Sequence, residues 1–422
     1  MNTKKNNTLK TTVKSKSLIE KIKYELFVFV VLLAEMLLYM PHKSDGLRDC
    51  AYAYYVTNYS NMGFTGRMML GSIIDLFTDF YSKKLTLAIA FCVMASVIAL
   101  MSFFIGGAIK KSGDGALILL FVFCLFMLLP TSTEQFTDSH FGTIEMYHLL
   151  LTLVSLFLIR NKFLRWFVPL LFVVCNAMHC SYVFTYMSSV AIALFYNCFK
   201  TVQPDYSHNK LKINKSGIAL CSVAFVFLVS SFIVFLIFEA KNPLIYDNAE
   251  QMRQALSEKT DLEITDHLMI DHFRAYSDTK ENIDKNETFY DKTVGLWFKS
   301  ILPPLKNNLS YMLIEFILPM LLFLSVCIAV WITAYKSQTD KFKKLVLFFC
   351  IISPLITLPI FLYNDWEKYI GGICITQLLL LCYFAVNEVS VKTALARLRD
   401  KATENPAVML SVFAATVMLR VV

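Results

Sequence analysis

Between the pairs Lys83-Lys84 and Lys110-Lys111, residues 85–109 read LTLAIAFCVMASVIALMSFFIGGAI, twenty-five positions without a charged side chain. A helix of about 20 apolar residues crosses the hydrocarbon core of a bilayer, so this run reads as membrane-spanning and decides the fold class. Comparable runs begin at Leu26, Ala116, Ile144, Leu164, Tyr182, Gly217, Leu309, Leu345, Ile370 and Pro406. The run from Leu164 to Tyr196 is too long for one span and contains Asn176, His179, Cys180 and Ser181, so it divides into two helices joined by a turn at His179. Of the 422 residues 56% are hydrophobic and 14% aromatic, with mean hydropathy +0.55, which is more than one water-soluble core requires. The expected fold is an all-α polytopic transmembrane bundle of about 10–11 spans.

Basic residues recur in alternate connections, as they do in loops that stay in the cytoplasm. They comprise the leader (Lys4 to Lys23), Lys110-Lys111, the group Arg160, Lys162 and Arg165, and the group Lys200, Lys210, Lys212 and Lys215. Lys336 to Lys344 and Lys392 to Lys401 continue the pattern, and only Lys83 and Lys84 break it. The net charge of +8 is therefore read as topology signal and headgroup contact, not nucleic-acid binding. This orientation predicts a multi-pass protein of the cytoplasmic (inner) membrane with its N-terminus in the cytoplasm.

The chain then divides into a basic leader (1–24), an N-terminal membrane module (25–239) whose outer loop covers 41–84, a large outer loop (240–308) and a C-terminal module (309–422). Four outer elements are expected to converge: the loop from Pro41 to Lys84, the segment Thr131 to Gly142, the loop 240–308, and the turn from Tyr363 to Lys368. Within the first loop, Phe64 to Ser82 has polar positions Arg67, Gly71, Asp75, Thr78, Asp79 and Ser82 at helical spacing, opposite Met69, Leu70, Ile73, Ile74, Phe77, Phe80 and Tyr81. That pattern predicts an amphipathic helix lying in the membrane interface, although a helix that merely covers the bundle has the same periodicity. In the large loop, Gln251 to Leu256 and Asp261 to Tyr276 are read as short helices. The tryptophans Trp166, Trp297, Trp331 and Trp366 fall at expected span ends and read as interface anchors.

Directly after the first span the chain runs Ser44-Asp45-Gly46-Leu47-Arg48-Asp49-Cys50-Ala51-Tyr52. Asp49-Cys50-Ala51-Tyr52, followed by Asn61-Met62-Gly63-Phe64, resembles the Asp-x-x-Tyr stretch in the first outer loop of GT-C-type membrane glycosyltransferases. The order of spans and the large outer loop after the seventh resemble the same family. Gly63 to Gly71 and Asn364 to Tyr369 are similar to patterns in polytopic proteins of bacterial capsule and exopolysaccharide gene clusters. The resemblance covers about the first three quarters of the chain. It implies transfer of a sugar from a polyprenyl-phosphate donor to a glycan or lipid acceptor at the outer face, with an acidic residue as catalytic base. This sequence has Cys50 after Asp49, where the family commonly keeps a second acidic residue.

The residues sustain that chemistry on their own terms. A hydroxyl attacking a sugar carbon needs a base for its proton, and a carboxylate within hydrogen-bond reach serves. Asp49 is the expected base and Asp45 the second carboxylate. Arg48 and Arg67 suit the departing phosphate, because a guanidinium matches its oxygens. Tyr52, Asp138, His140, His179, Asp365 and Trp366 complete the expected substrate-binding set. No metal-specific ligand spacing, nucleotide fingerprint or zinc motif is present. No cofactor is expected, and a divalent cation held by carboxylates is the alternative. Other readings are a repeat-unit polymerase of capsule or O-antigen assembly, a lipid-linked sugar flippase and a non-catalytic partner of polysaccharide-assembly proteins. Two residues inside spans are read as either functional or structural: Glu35, and Asn176 as a helix–helix hydrogen-bonding group.

Overall fold

The computed structural model describes residues 18–39, 47, 49–63, 68–130, 141–200, 204–205, 210–211, 214–241, 246, 249–264, 313–356 and 366–421, with backbone alone at some element ends. Helices dominate; the described strands are a two-residue pair, Pro204–Asp205 with Lys210–Leu211. Helix α1 (Leu18–Tyr39) enters the bundle. Three short helices follow, α2 (Asp49–Val56), α3 (Tyr59–Met62) and α4 (Met69–Asp75). Then come α5 (Lys83–Lys111), α6 (Ala116–Met127), α7 (Ile144–Leu158), α8 (Val168–Met178), α9 (Tyr182–Thr185), α10 (Met187–Phe199), α11 (Lys215–Lys241) and α12 (Ala249–Ser257). The last five are α13 (Leu318–Ser337), α14 (Lys341–Ile352), α15 (Trp366–Asn387), α16 (Val389–Glu404) and α17 (Pro406–Val421).

The chain is a multi-pass helical membrane bundle. Four described helices are long and apolar enough to cross a membrane: α5, and the stretches Lys215–Ile237 of α11, Leu318–Ser337 of α13 and Tyr369–Asn387 of α15. The bent pair α16 and α17, turned by 96°, makes a fifth if counted as one span. Among the described residues the number of full-length helices is therefore below the expected count. The runs at Ala116, Ile144, Leu164 and Tyr182 form helices of 10–17 residues, which at about 1.5 Å per residue fall short of a hydrocarbon core about 30 Å thick. Their inward residues, such as Val122, Phe123, Leu153 and Val190, are fully buried by neighbouring helices. The break at His179 is found where expected, between α8 and α9.

Helices α1 and α5 pack face to face because Gly106 has no side chain. A Cβ there would lie 2.5 Å from the Glu25 Cα, so only glycine admits this approach. Lys110 closes the same contact by pairing with Glu25 at 3.7 Å and donating to the Lys21 carbonyl.

Helix α15 sits at the centre. Leu378, Leu379, Leu380, Leu381, Tyr383 and Phe384 are all fully buried, as expected of a helix apolar on every side. Its polar groups are paired with neighbouring helices. Gln377 accepts from Trp331 Nε1 at 2.8 Å and donates to the Cys350 carbonyl at 3.0 Å and to Ser353 Oγ at 2.8 Å, tying α13, α14 and α15 together. Trp331 is therefore not an interface anchor. Its indole needs a partner once buried, and Gln377 provides it. Asn176 of α8 donates to Ser231 Oγ at 2.7 Å and to the Leu228 carbonyl at 3.1 Å, clamping α11 as its helix–helix reading requires. The outer side of α11 exposes Phe225, Val226, Ile233 and Ile237, a surface suited to lipid.

The basic connections gather at one end. There Arg399 pairs with Asp114 at 2.9 Å, and buried Glu388 accepts from Tyr196 at 3.0 Å, pairs with Lys343 at 3.2 Å and accepts from Gln338 at 2.9 Å. From this basic end α17 returns beside α13 to reach the π-helical turn Leu313–Ile317 that precedes it. The last apolar run thus packs along α13 as a helix of 16 residues.

The close approach of α1 and α5 gives a paired test. Gly106→Ala should destabilise the detergent-solubilised protein by about 1–3 kcal/mol through overpacking. Gly107→Ala, whose Cβ meets nothing within 4 Å, should be neutral or stabilising by up to about 1 kcal/mol. Thermal unfolding of the two variants side by side reads the difference.

Candidate functional site

At the end of the bundle opposite the basic connections, the first loop folds into a compact cap. Asn58 starts it. Its side chain accepts from the Asn61 amide at 2.9 Å while Asn61 Oδ1 accepts from the Asn58 amide at 2.8 Å, a reciprocal box that opens α3. Helix α4 then lies against the end of α2 with backbone touching backbone. A Cβ at Gly71 would overlap the Thr57 carbonyl oxygen, so glycine is required there for packing. Ser72 Oγ accepts from the Tyr59 amide at 2.9 Å and fixes α4 against α3.

This arrangement corrects the expected interfacial helix over 64–82. Among the described residues of that stretch the helix is Met69–Asp75, and Gly71, read as part of the polar face, is buried against protein; residues 64–67 lie outside the described residues. Beyond Asp75 the chain turns, and Ser82 caps α5 by accepting from the Leu85 amide at 3.1 Å.

Tyr81 holds the cap together. Only 1% exposed, it donates to Asp75 Oδ1 at 2.6 Å and accepts from Asn58 Nδ2 at 3.1 Å. Its backbone receives the large loop: the Tyr81 amide donates to the Lys259 carbonyl at 2.8 Å, and Thr260 Oγ1 donates to the Tyr81 carbonyl at 2.6 Å. Asp261 Oδ1 accepts from the Lys83 amide at 2.7 Å, adding a second acceptor at the first turn of α5. Residues 261–264 are not helical and the remainder of the helix expected over 261–276 lies outside the described residues, whereas the helix expected over 251–256 is present as α12, with Met252 and Leu256 buried. The His179 turn joins the same assembly. Ala177, Cys180 and Phe235 form a small apolar cluster against Tyr59 and Met69.

The expected site residues divide as follows. Asp49 opens α2, one turn before Tyr52, and of Asp49 only the backbone is described. Tyr52 is 2% exposed with its hydroxyl accepting from the Leu47 amide at 3.3 Å, so it braces the loop instead of presenting a ring to a sugar. His179 is half-buried, and its Nδ1 accepts from the Ser181 amide at 2.9 Å. Trp366 begins α15, again with only its backbone described. Asp45, Arg48, Arg67, Asp138, His140 and Asp365 lie outside the described residues. Of the four outer elements, the first loop and the large loop demonstrably meet. The second touches the first where Leu47 covers Gly142.

Burial sets the protonation of the cap. It pushes the Tyr59 phenol up to about 12, and it raises Tyr81, helped by the Asp75 carboxylate. Burial followed by the neighbouring Tyr147 likewise raises Tyr55 well above an ordinary phenol; Tyr147 donates to the Tyr55 hydroxyl at 2.9 Å. These phenols stay neutral at physiological pH and act as hydrogen-bond groups, which leaves base chemistry to carboxylates or imidazoles.

Beneath the cap lies a polar stripe that the sequence reading passed over. Glu145, His148 and Thr152 follow each other at i, i+3 and i+7 on α7, facing Cys175 of α8 and Tyr182 of α9. His148 is 1% exposed and its Nε2 lies 3.0 Å from the Cys175 carbonyl, which only accepts, so Nε2 carries the proton. Among the described residues its Nδ1 lone pair is enclosed without a hydrogen-bond partner, and the Tyr182 ring lies 5.3 Å away. The signal was available: two ionisable residues inside an expected span. Among the described residues no group of His, Cys, Asp and Glu could hold a metal ion.

No family model, curated protein or solved structure matches the chain.

Tyr81→Phe should destabilise the protein by about 1–3 kcal/mol, because it leaves Asp75 and Asn58 without their shared partner. Thr260→Val should cost about 1 kcal/mol. Both should speed protease cleavage between Ala249 and Ile264, read by the fragment pattern of the purified protein.

Proposed function

We propose that the chain is a glycosyltransferase of the cytoplasmic membrane that acts at the outer face on polyprenyl-phosphate-linked sugars, in assembly of a capsule-, exopolysaccharide- or O-antigen-type polymer. The observation that carries this reading is the docking of residues 259–261 onto Tyr81 and Lys83, which joins two distant loops in the cap that also holds the helix opened by Asp49. A reaction between a lipid-held donor and a hydroxyl acceptor needs such a cap at the membrane surface, where the acceptor can be aligned and water limited.

Asp49 is the base in this reading. It stands at the first turn of α2, and its role in this reading is to accept the hydroxyl proton. Arg48 and Arg67 neutralise the departing phosphate. Asp45, Asp138, His140, His179, Asp365 and Trp366 orient donor and acceptor. The neutral phenols of Tyr55, Tyr59 and Tyr81 frame the cap and take no proton. The basic end faces the cytoplasm together with the N-terminus.

A second reading, movement of the lipid-linked sugar across the membrane, draws on the Glu145–His148–Thr152 stripe and on the helix broken at His179, since interrupted helices and buried ionisable groups accompany transport. Purified protein in vesicles, supplied with a polyprenyl-phosphate sugar and a glycan acceptor, separates the two. Transfer that falls at least a hundredfold in Asp49→Asn, with unfolding temperature unchanged, is the expected result. Full activity in that variant removes Asp49 as base. Donor movement without transfer, lost in His148→Gln, favours transport.

A further inference from the structure

The turn between α4 and α5 carries the most exposed large apolar side chains of the cap. Leu76 is 80% exposed, Phe77 84% and Phe80 48%, although Tyr81 beside them is buried. Three bulky residues held in water at the tip of an otherwise packed loop are costly unless something apolar covers them.

The tip is also prepared to leave water. The amides of Leu76, Phe77 and Thr78 donate to the Ile73 or Ile74 carbonyls at 2.8–3.3 Å. Thr78 Oγ1 accepts from the Phe80 amide at 3.2 Å and donates to the Phe80 carbonyl at 2.9 Å. Backbone groups satisfied in this way can enter a lipid interface, whereas unpaired ones cannot. Tyr81, bonded to Asp75, Asn58, Lys259 and Thr260, anchors the tip from behind, so it projects as a fixed knob.

The length of α5 places this knob. Its 29 residues run about 43 Å, which matches a bilayer with both headgroup layers, about 40–45 Å. Lys110 and Lys111 then stand in one headgroup layer and Lys83 and Lys84 in the other. The knob, three to seven residues before Lys83, lies at the same level. This accounts for the lysine pair that breaks the charge pattern of the remaining loops. Nearby Asp79 is exposed, and Asp261 is occupied by the Lys83 amide.

We infer that Leu76, Phe77 and Phe80 insert into the boundary between headgroups and acyl chains of the bilayer, with Lys83 and Lys84 at the depth of the phospholipid phosphates. The occupant of this surface is the membrane itself. The inference does not rest on glycosyl transfer and fixes the depth at which the cap works.

Phe77→Trp, at a position too exposed to disturb folding, tests it in proteoliposomes through the emission added over the parent protein. Lipids brominated high in their acyl chains should quench that added emission, and aqueous iodide should leave it. Iodide quenching without bromolipid quenching puts the tip in water and overturns the inference. Quenching by neither means that a second copy or a partner protein covers the tip, which overturns it equally. Adding Lys83→Glu and Lys84→Glu should weaken the bromolipid effect in vesicles of anionic phospholipid. An effect unchanged by charge reversal overturns the role given to the lysines.

Discussion

In a space without water an unpaired polar group is costly, and the contacts between the central helices are arranged around that constraint. Gln377 shows it most directly. A carboxamide at the middle of a fully enclosed helix meets an indole, a backbone carbonyl and a serine hydroxyl from two other helices, which fixes how those helices approach. Asn176 does the same between α8 and α11, and Glu388 does it at the basic end with a tyrosine, a lysine and a glutamine. Apolar packing would tolerate many rotations of these helices about their axes. The polar pairs select one.

The cap at the opposite end depends on a different economy of space. Gly71 lets α4 touch the end of α2, and the box between Asn58 and Asn61 turns the chain tightly enough to bring Ser72 to Tyr59. The result is a small rigid block bonded to the bundle through Tyr55 and Tyr147 and to the large loop through Tyr81. Chemistry placed on this block would gain precision from it, because α2 is held by the Tyr55–Tyr147 bond and its end by the close contact of Thr57 with Gly71.

How much of this was legible in the sequence follows from which signals are local. The uncharged run before Lys110 announces a spanning helix unaided, and so does the polar interruption at His179, because both depend on length and hydropathy. The helix expected over 64–82 was misjudged because helical spacing does not say what a face meets. Gly71 looked like a small solvent-facing position, and its real neighbour is the carbonyl of Thr57. Trp331 was misread for a related reason: closeness to a span end suggests an interface, and the partner that buries it lies 46 residues away. Glu145 and His148 were visible as charges within an apolar run, yet only the fold brings them to Cys175 and Tyr182.

The contact between Tyr81 and Thr260 joins residues 179 apart in the chain. Closing so long a loop carries a large entropic cost, and contacts of that kind form after local helices have appeared and the bundle has begun to collapse. Until Thr260 arrives, α5 lacks the Asp261 carboxylate at its first turn, and Tyr81 holds only its partners within the first loop. The cap can thereby be completed only after the intervening described helices, α5 to α12, have been laid down. A chain interrupted or misinserted anywhere in that stretch would keep its early helices and still lack the finished cap.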